Sequence, residues 1–135
     1  MIKAIAIDDE PLALKLVSGY IQQTPFLQFE GGFDNPISAL EYKENNPVDL
    51  MILDIQMPDL MGTDFVRMMQ NGPKVIFATA HEKFALESYR LDVVDYLLKP
   101  FGYEEFLTAA MKARKLIEME SHKPTSVETN DDFLF

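Results

Sequence analysis

Residues 49–55 read Asp-Leu-Met-Ile-Leu-Asp-Ile (DLMILDI). Leu50, Met51, Ile52 and Leu53 are consecutive apolar residues, so a strand built from them has no polar face. Such a strand belongs in the middle of a parallel sheet with helices packed on both sides. Its carboxyl end carries Asp54. Open parallel sheets bind their ligands outside the carboxyl ends of the strands, so this acid stands where chemistry is expected.

Working outward, the same alternation of short apolar runs and amphipathic stretches covers most of the chain. Upstream, residues 2–7 form a brief β-branched run, followed by Asp8-Asp9-Glu10-Pro11. Three acids around a proline suit a helix start through capping and dipole effects. Over residues 12–22, Ala13, Leu16, Val17, Tyr20 and Ile21 recur at helical spacing. Residues 27–33 read as a strand weakened by Gly31-Gly32; Asn35-Pro36 opens a second helix through Tyr42, and Asn45-Asn46-Pro47 ends it.

Downstream, residues 58–62 form a loop, and 63–69 a short helix stopped by Asn71-Gly72-Pro73. A fourth strand is expected over 74–79, a fourth helix over 82–90, and a fifth strand over 93–98, broken at Lys99-Pro100. In a fifth helix over 103–120, Tyr103, Phe106, Leu107, Ala110 and Ile117 share one stripe. Strand starts near 2, 28, 50, 74 and 94 give a period of about 20–26 residues, the length of a βα unit with a right-handed crossover. The expectation is an α/β fold with a doubly wound, five-stranded parallel sheet and five helices.

Composition narrows the function classes. The chain has 135 residues, 47% hydrophobic and 25% charged, which fits one globular domain with a core of its own. Twelve basic against 22 acidic residues give a net charge of −10, which repels nucleic-acid phosphate. There is no cysteine, so disulfides and thiolate zinc sites are excluded, and a cytoplasmic setting is expected. No apolar run approaches the ~20 residues of a membrane helix, and the first residues carry no leader pattern. Residues 121–130 have linker composition, whereas 131–135 (DDFLF) turn apolar, as the first strand of a further domain would.

The strand ends carry a coherent set of groups: Asp8 and Asp9 after the first strand, Asp54 after the third, Thr79 after the fourth and Lys99 after the fifth. Clustered carboxylates repel unless a cation joins them, and Mg²⁺ suits an all-oxygen site that accepts phosphate oxygens. A carboxylate nucleophile, an ion, a hydroxyl and an ammonium make a phosphoryl-transfer set. Each member alone has an ordinary structural reading as a cap, a turn residue or a solvated lysine. Their conjunction at four strand ends does not.

The segments IAIDDEP (5–11), LMILDIQMPDLMG (50–62), IFATAH (76–81) and DYLLKPF (95–101) resemble, in this order, the response-regulator receiver domain of two-component signalling. The resemblance covers essentially residues 2–120. The stretch ATAHEKFALESYRLDVVDYLLKPF is further similar to receivers that precede a LytTR-type DNA-binding domain. It implies a flavodoxin-like sheet with strand order 2-1-3-4-5, a receiver over 1–120, and a truncated effector beginning at 131–135.

By the same resemblance, Asp54 accepts a phosphoryl group from a sensor histidine kinase. Asp9, Asp54 and the backbone carbonyl of Gln56 hold Mg²⁺, with Asp8 acting through water. Lys99 contacts a phosphoryl oxygen and the unphosphorylated Asp54, Thr79 swings in to bond another phosphoryl oxygen, and Tyr96 is the aromatic switch. The Lys99-Pro100 bond is expected to be cis. The implied protein is a regulatory phosphoacceptor, not an enzyme, whose C-terminal half binds DNA. No nucleic-acid or membrane contact is expected of this fragment, and pairing of two copies on phosphorylation is left open. Gln56 and His81 depart from the commonest family residues; His81 reads first as an exposed loop residue, and His122 has no evident role.

Two other readings fit less well. Haloacid dehalogenase-type phosphatases also use an aspartyl phosphate, but with an Asp-x-Asp pattern after the first strand, whereas adjacent acids stand here. A degenerate receiver that works only as a protein-binding module usually lacks one or more of the five pocket residues, and all five are present; a stand-alone receiver acting by protein contact stays as the alternative.

Overall fold

The computed structural model describes residues 1–58, 60–69, 72–83 and 93–121. Five strands, β1 (Ile2–Ile7), β2 (Leu27–Phe33), β3 (Leu50–Asp54), β4 (Lys74–Thr79) and β5 (Asp95–Leu98), form one sheet in the order β2-β1-β3-β4-β5. All neighbouring pairs are parallel. The expected doubly wound topology is therefore present, with β3 in the centre.

Among the described residues the helices are α1 (Pro11–Gln23), α2 (Pro36–Asn45), α3 (Gly62–Met68) and α4 (Tyr103–Ser121). The helix expected over 82–90 falls almost wholly outside the described residues, as do His122, the rest of the expected linker and the terminal 131–135. Ser121, expected to open that linker, still belongs to α4.

Side-chain alternation along the strands divides the core in two. Ala4, Ala6, Leu50, Ile52, Ile76 and Ala78 face one side, where Val17 and Ile21 of α1 and Phe106, Ala109, Ala110 and Ala113 of α4 cover them. Ile5, Ile7, Met51, Leu53, Val75 and Phe77 face the other, against Ala39 of α2 and Phe65 of α3. Alanines on both the sheet and α4 let that helix lie close. Each fully buried Ile, Leu or Phe contributes roughly 1.5–3 kcal/mol, so both layers are needed to hold the sheet.

Local signals at the helix starts behave unequally. Asn35 caps α2 as its type suggests, its Oδ1 accepting the Ser38 N–H at 2.9 Å. The acids before α1 do not cap it: Glu10 makes no side-chain cap bond, and the first turn holds no acid. Leu16, expected in the core, is 49% exposed, and Leu14 packs against the core instead. The strand β5 starts at Asp95, two residues later than expected, although Val94 still donates its N–H to Val75. In β2 the register steps between Ala4 and Ile5, leaving Glu30 as an extra residue ahead of the glycines.

One glycine is required by close approach. Gly62 N–H donates to the Ile55 carbonyl at 2.7 Å, folding the loop after β3 back onto the strand end. A Cβ here would stand 2.7 Å from the Asp54 carbonyl oxygen and 2.9 Å from Ile55 Cα, both backbone atoms that cannot swing aside. Gly62→Ala is expected to cost about 1–3 kcal/mol through overpacking, read as a lower urea midpoint at unchanged m-value. An unchanged midpoint would show that the loop relaxes freely.

Candidate functional site

Successive strand ends bring Asp8, Asp54, Thr79 and Lys99 to the carboxyl rim of the sheet. Asp54 is the last residue of the central strand and 6% exposed; Asp8, directly after the neighbouring β1, is 3% exposed. Asp9 is exposed, yet one of its oxygens stays in reach of both other acids.

Oxygens of Asp8, Asp9 and Asp54 all lie within 4.8 Å of one another. Burial pushes the Asp54 carboxyl from its ordinary 3.8 up to about 7, and the charge of Asp8 and a hydrogen bond with Asp9 push the same way. The Lys99 ammonium and the Gln56 N–H, 3.3 Å from Asp54 Oδ1, oppose the rise without cancelling it. Three hard oxygen donors crowded against their own repulsion fit a small divalent cation, Mg²⁺ in particular.

Lys99 reaches this cluster from the turn after β5. Its Nζ donates to Asp8 Oδ2 at 2.8 Å and stands 3.7 Å from Asp54 Oδ1. Burial pulls the ammonium pKa down, but the hydrogen bond to Asp8 and the charges of Asp54, Asp8 and Glu10 outweigh it, and the net direction is up. The Lys99-Pro100 peptide is cis, as expected. Asp8 is the nearest partner of Lys99, and its Oδ1 accepts the Glu10 N–H at 3.0 Å.

Thr79 is buried at the end of β4, its Oγ1 accepting the His81 N–H at 3.1 Å. Its hydroxyl is committed to the following loop. Tyr96 lies on β5 opposite Phe77 and is 38% exposed, so its ring is turned out. Gln56 and His81 are both exposed.

The raised Asp54 pKa has a testable consequence in chelator. Between about 4 and 7 the folded form keeps a proton that the unfolded chain releases, so this group's contribution to stability falls as pH rises through that window. Asp54→Asn removes the titration. After discounting for solvent and for the Lys99 charge, it should be more stable than wild type by about 1–2 kcal/mol at pH 8. The gain should vanish near pH 4. Urea titrations at both pH values check this, and equal stability at pH 8 would contradict the unfavourable burial.

Residues 4–111 match the response regulator receiver domain family. The chain is similar to sensory transduction protein LytT of Bacillus anthracis, 34% identical over 118 residues, covering 85% of this chain and 48% of that protein. It is similar to LytR of Staphylococcus epidermidis, 33% identical, covering 96% and 55%. The chain therefore spans about half the length of these curated relatives. Among solved structures, the response regulatory domain of mrkE from Klebsiella pneumoniae superposes with a TM-score of 0.78 at 29% identity, over 87% of this chain and 99% of that one. A receiver domain protein from Clostridium thermocellum gives the same TM-score at 24% identity, covering 89% and 99%, a likeness of fold alone. Sheet order, the acids on its rim and the match over most of the sequence agree, and the chain belongs to the response-regulator receiver domain family.

Proposed function

We propose that this receiver is a phosphorylation-controlled switch in which Asp54 is the phosphoacceptor. The observation that carries the reading is the convergence of Asp54, Asp8, Asp9 and Lys99 within one charge cluster. In the reaction, an Asp54 oxygen attacks the phosphorus of a phosphohistidine on a sensor kinase. The P–N bond breaks as the O–P bond forms, and the imidazole leaves with the electron pair and takes a proton from solvent. Asp9, Asp54 and the Gln56 backbone carbonyl would hold Mg²⁺, with Asp8 through water, and the ion would supply charge neutralisation at the phosphoryl oxygens. Lys99 shifts its ammonium from Asp8 towards a phosphoryl oxygen. Nothing in this set turns over a substrate, so the chain assists only its own phosphorylation and dephosphorylation.

The donor has a place to dock beside the rim. Leu12 is 76% exposed, and with Leu16 it borders a cavity of about 260 Å³ between α1 and the Lys99-Pro100-Phe101 turn. Exposed leucines next to the phosphoacceptor suit the apolar surface of a kinase domain. On this reading the receiver meets its donor in the cytoplasm.

Incubation with acetyl phosphate and Mg²⁺ should add one phosphoryl mass to the intact chain, and Asp54→Asn should add none. Equal labelling of that variant would sink the assignment. In the same buffer Mg²⁺ should raise the Tm of wild type and much less that of Asp9→Ala, because an ion binding only the folded site stabilises by mass action.

Output follows from the switch residues and from the relatives. Drawing the Thr79 hydroxyl from His81 to a phosphoryl oxygen frees space next to β5, into which Tyr96 turns; the bias needed is a few kcal/mol at most. The relatives named for sensory transduction are about twice as long as this chain. We assign the part of the relatives that this chain does not match to a LytTR-type DNA-binding domain, since a receiver at −10 cannot supply phosphate contacts. Residues 1–135 should give no gel shift at physiological salt, while the longer protein should bind specifically and more tightly once phosphorylated. Thr79→Ala should accept phosphate and lose that enhancement. Tight DNA binding by the fragment, or enhancement surviving in Thr79→Ala, would refute the scheme.

A further inference from the structure

We propose that Tyr20, on α1, is a positioning residue for phosphotransfer: its hydroxyl holds the Lys99-Pro100-Phe101 turn and thereby aims the Lys99 ammonium. The inference rests on the phosphoacceptor reading of Asp54.

The ammonium of Lys99 sits on a flexible four-carbon stem, so where it points depends on how firmly its backbone is held. On one side the Lys99 N–H donates to the Thr79 carbonyl at 2.7 Å. On the other, Pro100 has no N–H to give. The next anchor is the Phe101 carbonyl, which accepts the Tyr20 hydroxyl at 3.4 Å. The Tyr20 ring also packs against Phe101, Tyr103 and Phe106, with centroids 6.3, 5.6 and 5.6 Å away. Thr24 Oγ1 donates to the Tyr20 carbonyl at 2.8 Å and lies 3.0 Å from the Tyr103 hydroxyl. The second half of α1 and the start of α4 therefore close on the turn from both sides.

Packing alone would account for the rings but not for the direction of the Tyr20 hydroxyl. Tyr103 provides the contrast within the same cluster. Its hydroxyl meets Thr24 and the Gln23 carbonyl, away from the turn. Removing either hydroxyl leaves the aromatic packing in place, but only the loss at Tyr20 frees the turn. Small displacements of a charge-stabilising group are costly in rate, and a single long hydrogen bond to an already packed turn corresponds to a modest part of that cost.

The test measures phosphorylation by acetyl phosphate and Mg²⁺ as intact mass over time. Tyr20→Phe should slow the rate about three- to tenfold, while Tyr103→Phe stays within about twofold of wild type. Mg²⁺ affinity by calorimetry should be unchanged in Tyr20→Phe within about twofold, because the acids are held by other strands. In a Lys99→Ala background, whose residual rate is read over a longer course, adding Tyr20→Phe should change nothing further. A wild-type rate in Tyr20→Phe would overturn the proposal. The same fold-loss with and without Lys99 would overturn it too, since the effect would then not pass through the ammonium. A wild-type chain that gains no phosphoryl mass would instead remove the Asp54 reading, and this inference with it.

Discussion

Asp54 ends the central strand nearly shut off from water, beside a second buried acid and within reach of a third. Two buried carboxylates cannot both be charged at low cost, and the rise of the Asp54 pKa towards neutrality expresses that cost. The one cation that reaches both buried acids, among the described residues, is Lys99, closer to Asp8 than to Asp54. The site is thus held in a strained electrostatic balance that a divalent ion or a phosphoryl group can shift. The surrounding structure serves to keep these groups from moving apart.

That task explains why the scaffold is rigid where the chemistry is. The sheet is covered on both faces, so the strand ends cannot drift relative to one another without opening one of the two core layers. At the rim, short backbone bonds continue the same restraint. Gly62 ties the loop after β3 to Ile55, and Lys99 is tied to Thr79. Thr79 and Tyr96 are different in kind. One is buried with its hydroxyl on a loop and the other is turned outward. The proposed switch asks these two side chains to move while the rim around them stays in place.

Much of this was legible in the residues. The run from Leu50 to Leu53 named a central strand because no other environment accepts an apolar residue on both faces of a strand. Asn35-Pro36 named a helix start that the structure forms with the expected cap. The rim acids, Thr79 and Lys99 were found because each directly follows an apolar run. Leu16 was misplaced because helical spacing gives a stripe without saying which edge of it the neighbours cover; Leu14 took that place. The acids before α1 were read as caps because local rules cannot see a lysine 91 residues away, which claims Asp8 instead.

The sequence by itself determined the elements, their parallel winding and the set of groups at the rim, because these depend on periodicity and on residues next to one another in the chain. Only the tertiary structure decided how those groups share charge. It placed Lys99 on Asp8 ahead of Asp54, buried Asp8 while leaving Asp9 exposed, and brought Tyr20 of α1 onto the carbonyl of Phe101. Pairings between residues distant in sequence are settled by the packing of whole helices against the sheet, and the energy of a charge depends on the distance and water that this packing leaves around it.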